Sequence, residues 1–222
     1  MANQYVPYQI YCNLFEFMKY RGLAPEKDHM DRDVSEPAPS DTIVPLIKQF
    51  EYYQINTRVI AARPGLDEKG SVVIIMLTPD SKYAHHSSDL RHLVGGLSGR
   101  IDNLQEMVLI TEEEFFAKKN LMDLIHDLRK NNPKIYYSVF PYTVFATIIP
   151  KVIIIPKHVV ITSEEAQAFL GQEKLVGQIP PILSSDPIIV WIGGRVGDYI
   201  KVYRPSESCS LASTAIRIVK PG

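Results

Sequence analysis

The chain has 222 residues, with 24 Lys and Arg against 25 Asp and Glu, a net charge of −1 and 45% hydrophobic residues. Folded, such a chain can bury roughly 70% of the surface it exposes when unfolded, enough for one large domain or two modest ones. The even charge balance excludes a protein that wraps nucleic acid unaided, so any contact with DNA has to come from a local patch or be shared with partners. Cys12 and Cys209 lie at opposite ends, which excludes a disulfide framework or a C-x-x-C zinc site and points to a reducing, intracellular compartment. The opening "MANQYVPYQIYCNLFEF" lacks the basic start of a signal peptide. The greasiest stretch, Val144 to Ile155, is cut by Pro150 and Lys151 and falls short of the ~20 apolar residues of a membrane span. A soluble protein without a membrane partner is expected.

In chain order, Ile10, Tyr11, Leu14, Phe15, Phe17 and Met18 recur at helical spacing over residues 8 to 21, and Gly22 is placed to stop that helix. The polar, proline-bearing run "APEKDHMDRDVSEPAPSD", residues 24 to 41, predicts a mobile loop. A helix broken or shortened by Pro45 is expected within 42 to 53. "NTRVIAARP" and "SVVIIMLTP" then predict two strands around the "GLDEKG" turn, with Val72 to Leu77 apolar enough to be buried on both faces. "EMVLIT" is a further strand, and Thr111 with Glu114 has capping-box spacing for a helix carrying Phe115, Leu121, Leu124, Ile125 and Leu128. "KIYYSVFPY" comes next as a strand. Strand, helix, strand in this order predicts a mixed α/β domain over residues 1–149.

After Pro150 the pattern changes. Thr162 and Glu165 again have capping-box spacing, and Gly171 supplies a stop. "QIPPILSSDP" predicts a rigid connector in which Asp186 caps a helix begun by Pro187. Gly197-Asp198 turns the chain into the strand "YIKVYR", which "TAIRIV" can pair. Residues 150–222 therefore read as a small α+β domain of net charge +2, against −3 for the rest. The fold class is α+β with two domains.

Four stretches carry chemistry-bearing residues. "GGRVG" supplies Gly193, Gly194 and Gly197, but neither a P-loop ending nor a following helix, so turns explain it better than a phosphate site. His85, Asp89 and His92 share one face if their segment is a single helix, a spacing that could hold zinc; a solvated polar face is the simpler account. "GGLSGR" around Ser98 misses the nucleophile-elbow pattern because position 100 is Arg. Asp80 ends a strand as a metal-dependent nuclease on a restriction-enzyme-like core would require, yet the next strands lack a carboxylate-x-lysine pair. No catalytic residue, metal ligand or cofactor is assigned.

The residues from 156 on carry a resemblance. Pro156, His158, Thr162, Glu165, Pro180, Ile182, Asp186, Pro187, Gly193, Gly197, Asp198, Lys201, Arg204, Pro205 and Ser206 fall in order and spacing on a known pattern. It belongs to the assembly domain of the fifth subunit shared by eukaryotic nuclear RNA polymerases, matched in archaea by a shorter, H-type subunit. Ile179 stands where the family usually has Leu, and Thr214 to Arg217 lack the tyrosines usual before the arginine. The first 149 residues are similar to the eukaryotic jaw domain in layout, through "YRGL", "EMVLITEEEFFAKKNLMDLI" and "YYSVFPY". The drift most resembles versions carried by large DNA viruses of eukaryotes. The resemblance implies a non-catalytic subunit of a DNA-directed RNA polymerase, one copy per hetero-oligomer, without a cofactor. Its C-terminal domain would anchor to the largest catalytic subunit and meet other core subunits, and its jaw would lie near downstream DNA. The implied interface residues are Pro156, His158, Thr162, Asp186, Pro187, Gly193, Gly197, Asp198, Lys201, Arg204, Pro205, Ser206 and Arg217. Location would be host cytoplasm and virion for a viral protein, or nucleus for a cellular one. A stand-alone nuclease using Asp80, or a generic protein adaptor, are the alternatives.

Overall fold

Helix α1 (Tyr5–Tyr20) forms because Ile10, Leu14, Phe17 and Met18 recur on one side and bury together. It stops at Gly22, whose φ of 65° is left-handed and whose Cβ, if present, would sit 2.8 Å from the Cβ of Ala61. Only glycine meets both demands. The computed structural model describes residues 5–28, 30–61, 66–170, 179–204 and 213–222. These form an α+β protein of two units that divide between Thr147 and Ile148.

The segment expected as a mobile loop begins instead with strand β1 (Leu23–Asp28), antiparallel to β2 (Tyr52–Val59). Pro25 and the flanking charges belong to an edge strand, where a missing N–H is tolerated, and the register shift between Pro25 and Lys27 marks a bulge. Asp28 then ties down the next turn of chain: its carboxylate accepts from the backbone N–H of Met30 (2.8 Å) and Arg32 (3.1 Å) and from Arg32 Nε (2.8 Å). Helix α2 (Ser40–Phe50) runs through Pro45 rather than breaking. Pro45 lies near the helix start and deprives only the carbonyl of Asp41, an exposed residue that water can reach. Ile43 and Ile47, one turn apart, anchor this helix.

The central strands are β3 (Ser71–Leu77), β4 (Leu104–Thr111) and β5 (Tyr136–Pro141). The five strands lie in the order β1-β2-β3-β4-β5, antiparallel up to β3 and parallel from β3 to β5. Parallel neighbours need crossovers. The first is α3 (Lys82–His85) with α4 (Ser87–Ser98), the second α5 (Glu113–Phe116) with α6 (Lys119–Asn131). Every residue from Val72 to Leu77 is fully buried, as a doubly covered strand requires. Val73, Ile75, Leu77 and Leu109 meet Leu90 and Val94 of α4 and Leu121, Leu124 and Leu128 of α6. On the opposite face, Glu106 of β4 lies beside Val72 and receives Arg21 from the end of α1 at 2.9 Å.

One expected cap does not form. Thr111 is the last residue of β4, its hydroxyl buried without a hydrogen bond among the described residues, and α5 starts after an extended Glu112. Pairing with β5 claims Thr111 for the sheet (it lies opposite Pro141), which leaves it too far back to cap. The apolar residues expected on the following helix, Phe115, Leu121, Leu124, Ile125 and Leu128, are all buried, although two helices share them.

The second unit opens with a 3-10 turn at Ile149–Lys151, then β6 (Lys157–Ile161), α7 (Ser163–Leu170), β7 (Pro181–Leu183) and α8 (Pro187–Ile192). β8 (Tyr199–Arg204) and β9 (Ser213–Lys220) complete it. The sheet order is β6-β8-β9-β7, with β7 parallel to β9 and the other pairs antiparallel. Part of the expected connector is thus strand β7. Helix α8 packs Ile188, Ile189 and Ile192 on Ile200, Val202 and Val219 of one face, and α7 packs Ala166 on Ile161, Ile216 and Ile218 of the other. The expected helix stop, Gly171, lies outside the described residues. Among those residues no helix is long and apolar enough to cross a membrane.

Candidate functional site

The residues singled out in the C-terminal unit build its caps and turns. Asp186 Oδ1 accepts from the Ile188 N–H at 3.0 Å, and Pro187 takes the first helical position, where a missing N–H costs nothing. Helix α8 ends at Gly193, with φ of 72°, and the Gly194 N–H donates to the Ile189 carbonyl at 2.9 Å. Three residues after Arg195, the Asp198 N–H donates to the Arg195 carbonyl at 2.9 Å, while Asp198 Oδ2 accepts from the Arg195 N–H at 2.7 Å. Gly197, third in this turn, has φ of 98° whereas Val196 is not left-handed, which makes it a type II turn. The turn is locked onto the sheet: the Gly197 N–H donates to Val219 at 3.0 Å, and the Val219 N–H donates to Asp198 at 2.9 Å. The glycines are turn residues, and a strand comes after them.

At β6, His158 Nδ1 lies 2.7 Å from the Pro156 carbonyl. A carbonyl can only accept, so Nδ1 carries a proton. The second capping box forms as expected: Glu165 Oε2 accepts from the Thr162 N–H at 3.0 Å, and Thr162 Oγ1 from the Glu165 N–H at 3.2 Å. The neighbouring Glu164 carboxyl is held below the usual carboxylate range by its own backbone N–H and by the hydroxyls of Ser163 and Thr162. Arg217 Nη1 donates to the Pro181 carbonyl at 3.1 Å and so ties β9 to β7.

Strand pairing sorts these residues into two groups. Ile161 lies opposite Tyr199, which brings Thr162 and Asp198 to one end of the sheet. Lys157 lies opposite Tyr203, which brings His158 and the exposed Arg204 to the other. Pro205 and Ser206 lie outside the described residues. Nothing here converges as a nucleophile with its base would; the residues frame a sheet.

Residues 147–219 match the family model of the RNA polymerase Rpb5 C-terminal domain. Over 212 residues, 95% of this chain and 96% of the relative, the chain is 34% identical to the DNA-directed RNA polymerase RPB5 homolog of African swine fever virus. The chain belongs to the RPB5 family. Subunit Rpo5 of the RNA polymerase of Methanosphaera stadtmanae is 37% identical over 68 residues, 30% of this chain and 87% of the archaeal protein. Subunit RPABC1 of RNA polymerases I, II and III of Caenorhabditis elegans is 41% identical over 56 residues, 25% of this chain and 26% of the worm protein. The viral match therefore extends the family through the N-terminal unit, beyond the reach of the C-terminal model.

Other candidates of this RPB5-family chain are dispersed by its fold. His85 ends α3, and His86 is extended (φ −121°), so His85 does not share a helix with Asp89 and His92. Among the described residues no three His, Cys, Asp or Glu are gathered to hold a metal. Ser98 donates to the Val94 carbonyl at 2.8 Å and lies 3.2 Å from the Tyr137 hydroxyl, at the end of a helix and not on an elbow. Asp80 is an exposed turn residue. No motif or spacing in the sequence singles out Lys157, Phe169 and Tyr203. The ammonium of Lys201 sits 5.5 Å from the Phe169 ring centre and 5.3 Å from that of Tyr203, and the ammonium of Lys157 lies 5.9 Å from the latter. Alternation in "KHVVI" and "YIKVYR" puts each lysine on a face, but only strand pairing brings both to the Tyr203 ring.

Proposed function

We propose that this chain is a non-catalytic subunit of a multisubunit DNA-directed RNA polymerase and acts in transcription. Its C-terminal unit anchors it to the largest catalytic subunit and meets other core subunits, one copy per complex, and its N-terminal unit lies beside downstream DNA. The supporting observation is a full-length likeness to a viral RPB5 homolog. A second fits the anchoring role: of the nine large apolar side chains left exposed among the described residues, Ile153, Ile154, Phe169, Leu183 and Val196 belong to the smaller C-terminal unit. Apolar side chains left in water on so small a unit are consistent with burial against a partner. With a net charge of −1, the chain by itself should bind DNA weakly and with a shallow salt dependence. The viral likeness favours host cytoplasm and virion as its setting.

Copurification tests this. The full chain, expressed with the catalytic subunits of the same source, should be retained at one copy each, and Gly197→Val should loosen it. A Cβ at Gly197 meets nothing within 4 Å, so the change acts through the left-handed backbone alone, at about 1–3 kcal/mol. Purified polymerase without a trace of the chain overturns the proposal. Crosslinking of residues 1–149 to downstream DNA in the assembled enzyme tests the placement of the N-terminal unit.

A further inference from the structure

The two edges of the C-terminal sheet differ. β7 has three residues, starts at Pro181 after Pro180, and has its Pro181 carbonyl occupied by Arg217. Prolines and shortness close an edge to further pairing. β6 has five residues without proline, all of them paired to β8 on the inner side. No described residue hydrogen-bonds its outer backbone. An open edge of this length is a template for one more strand.

The surface beside that edge has a definite character. Lys157, Lys201, Tyr203 and Phe169 lie on the α7 face, with Phe169 47% exposed. Neither lysine is ion-paired among the described residues, because the described carboxylates of this unit are used elsewhere. Glu165 closes its capping box, Glu164 takes the Ser163 hydroxyl, Asp186 caps α8 and Asp198 closes its turn. Two cations held over aromatic rings beside an unpaired backbone edge complement an extended chain that carries carboxylates on one side.

We infer that an acidic, extended segment of another polymerase subunit pairs with β6 as a fifth strand. Its alternate residues fall on the α7 face, since side chains in a strand repeat with period two. Carboxylates there meet Lys157 and, one strand further in, Lys201; the intervening carbon chains lie on Tyr203 and Phe169. Nucleic acid is the poorer occupant, because it cannot satisfy the alternating N–H and C=O groups of a strand edge, and two lysines fall short of a basic stripe. This inference rests on the subunit role proposed above.

Hydrogen exchange of the full chain, free and within polymerase assembled from co-expressed subunits, tests it. The outward amides of residues 157–161 should slow on the order of tenfold or more on assembly, with those of Ile182 and Leu183 unchanged. Lys157→Glu with Lys201→Glu should weaken retention on the order of tenfold or more and lower the salt concentration that releases the chain, with the neutral Gln pair in between. An unchanged unfolding midpoint of free protein, read from Trp191, shows that these variants fold. Polymerase that holds the chain while the β6 amides exchange as in free protein overturns the inference and leaves the subunit role standing. Protection of those amides by a (dT)12 oligonucleotide alone, without slowing on assembly, overturns it in favour of nucleic acid. A chain absent from polymerase removes the subunit role and this inference together.

Discussion

Replacing Glu106 with glutamine strips the negative charge from a pair that has almost no water. Arg21 is 3% and Glu106 1% exposed, and Arg21 Nη2 donates to both carboxylate oxygens, at 2.9 and 3.1 Å. Removing one partner of such a pair leaves a buried, uncompensated charge, at a cost of about 3–5 kcal/mol. Domain stabilities total ~5–15 kcal/mol, so the variant should lose a large share of the N-terminal unit's stability. The pair is also incompletely satisfied: among the described residues Arg21 Nε and Nη1 find no hydrogen-bond partner, and they face packing that includes the Phe17 ring, whose centre is 5.0 Å from the guanidinium carbon. Exchanging both partners, Arg21→Met with Glu106→Leu, should therefore return most of the loss. Urea unfolding followed by far-UV circular dichroism measures Glu106→Gln, the double variant and its two singles, Arg21→Met and Glu106→Leu. The single Trp191 reports the C-terminal unit separately, since it is buried among the α8 residues. A Glu106→Gln cost under about 1 kcal/mol, or a double variant that loses the full sum of the singles, refutes the reasoning.

Three further outcomes are expected. Gly95→Ala and Gly96→Ala should each stabilise by about 1 kcal/mol, because both sit inside α4 where an added Cβ meets nothing within 4 Å; a lower midpoint in urea contradicts this. Asp186→Ala should cost about 1 kcal/mol through loss of the α8 cap, visible as an earlier Trp191 fluorescence transition. Burial alone would raise the Asp28 carboxyl, but hydrogen bonds from the Arg32 side chain and from the N–H groups of Arg32 and Met30 outweigh it and hold the group below the ordinary value. Its contribution is thus complete above the unfolded Asp value of about 3.9 and disappears as pH falls through the lower folded value. Asp28→Asn should remove that part of the acid dependence of stability, and an unchanged slope below pH 4 would count against the assignment.

The residue order alone determined the elements whose signals are local. Capping at Thr162–Glu165 and Asp186–Pro187 forms as written, because a side chain and an N–H two or three residues apart need no distant partner. The same holds for the Gly197 turn, and the unbroken apolar run from Val72 to Leu77 announces a central strand by composition. Tertiary structure decided the rest. Leu23–Asp28 is a strand because β2 lies beside it, and proline-bearing, charged sequence is allowed at an edge. Thr111 cannot cap because β5 holds it in the sheet. Arg21 and Glu106, 85 positions apart, meet only when α1 closes over β4. The surface beside β6 obeys the same rule: Lys157, Tyr203, Lys201 and Phe169 come from a strand, its neighbour and a helix, and cross-strand register, which no single segment encodes, makes them one patch.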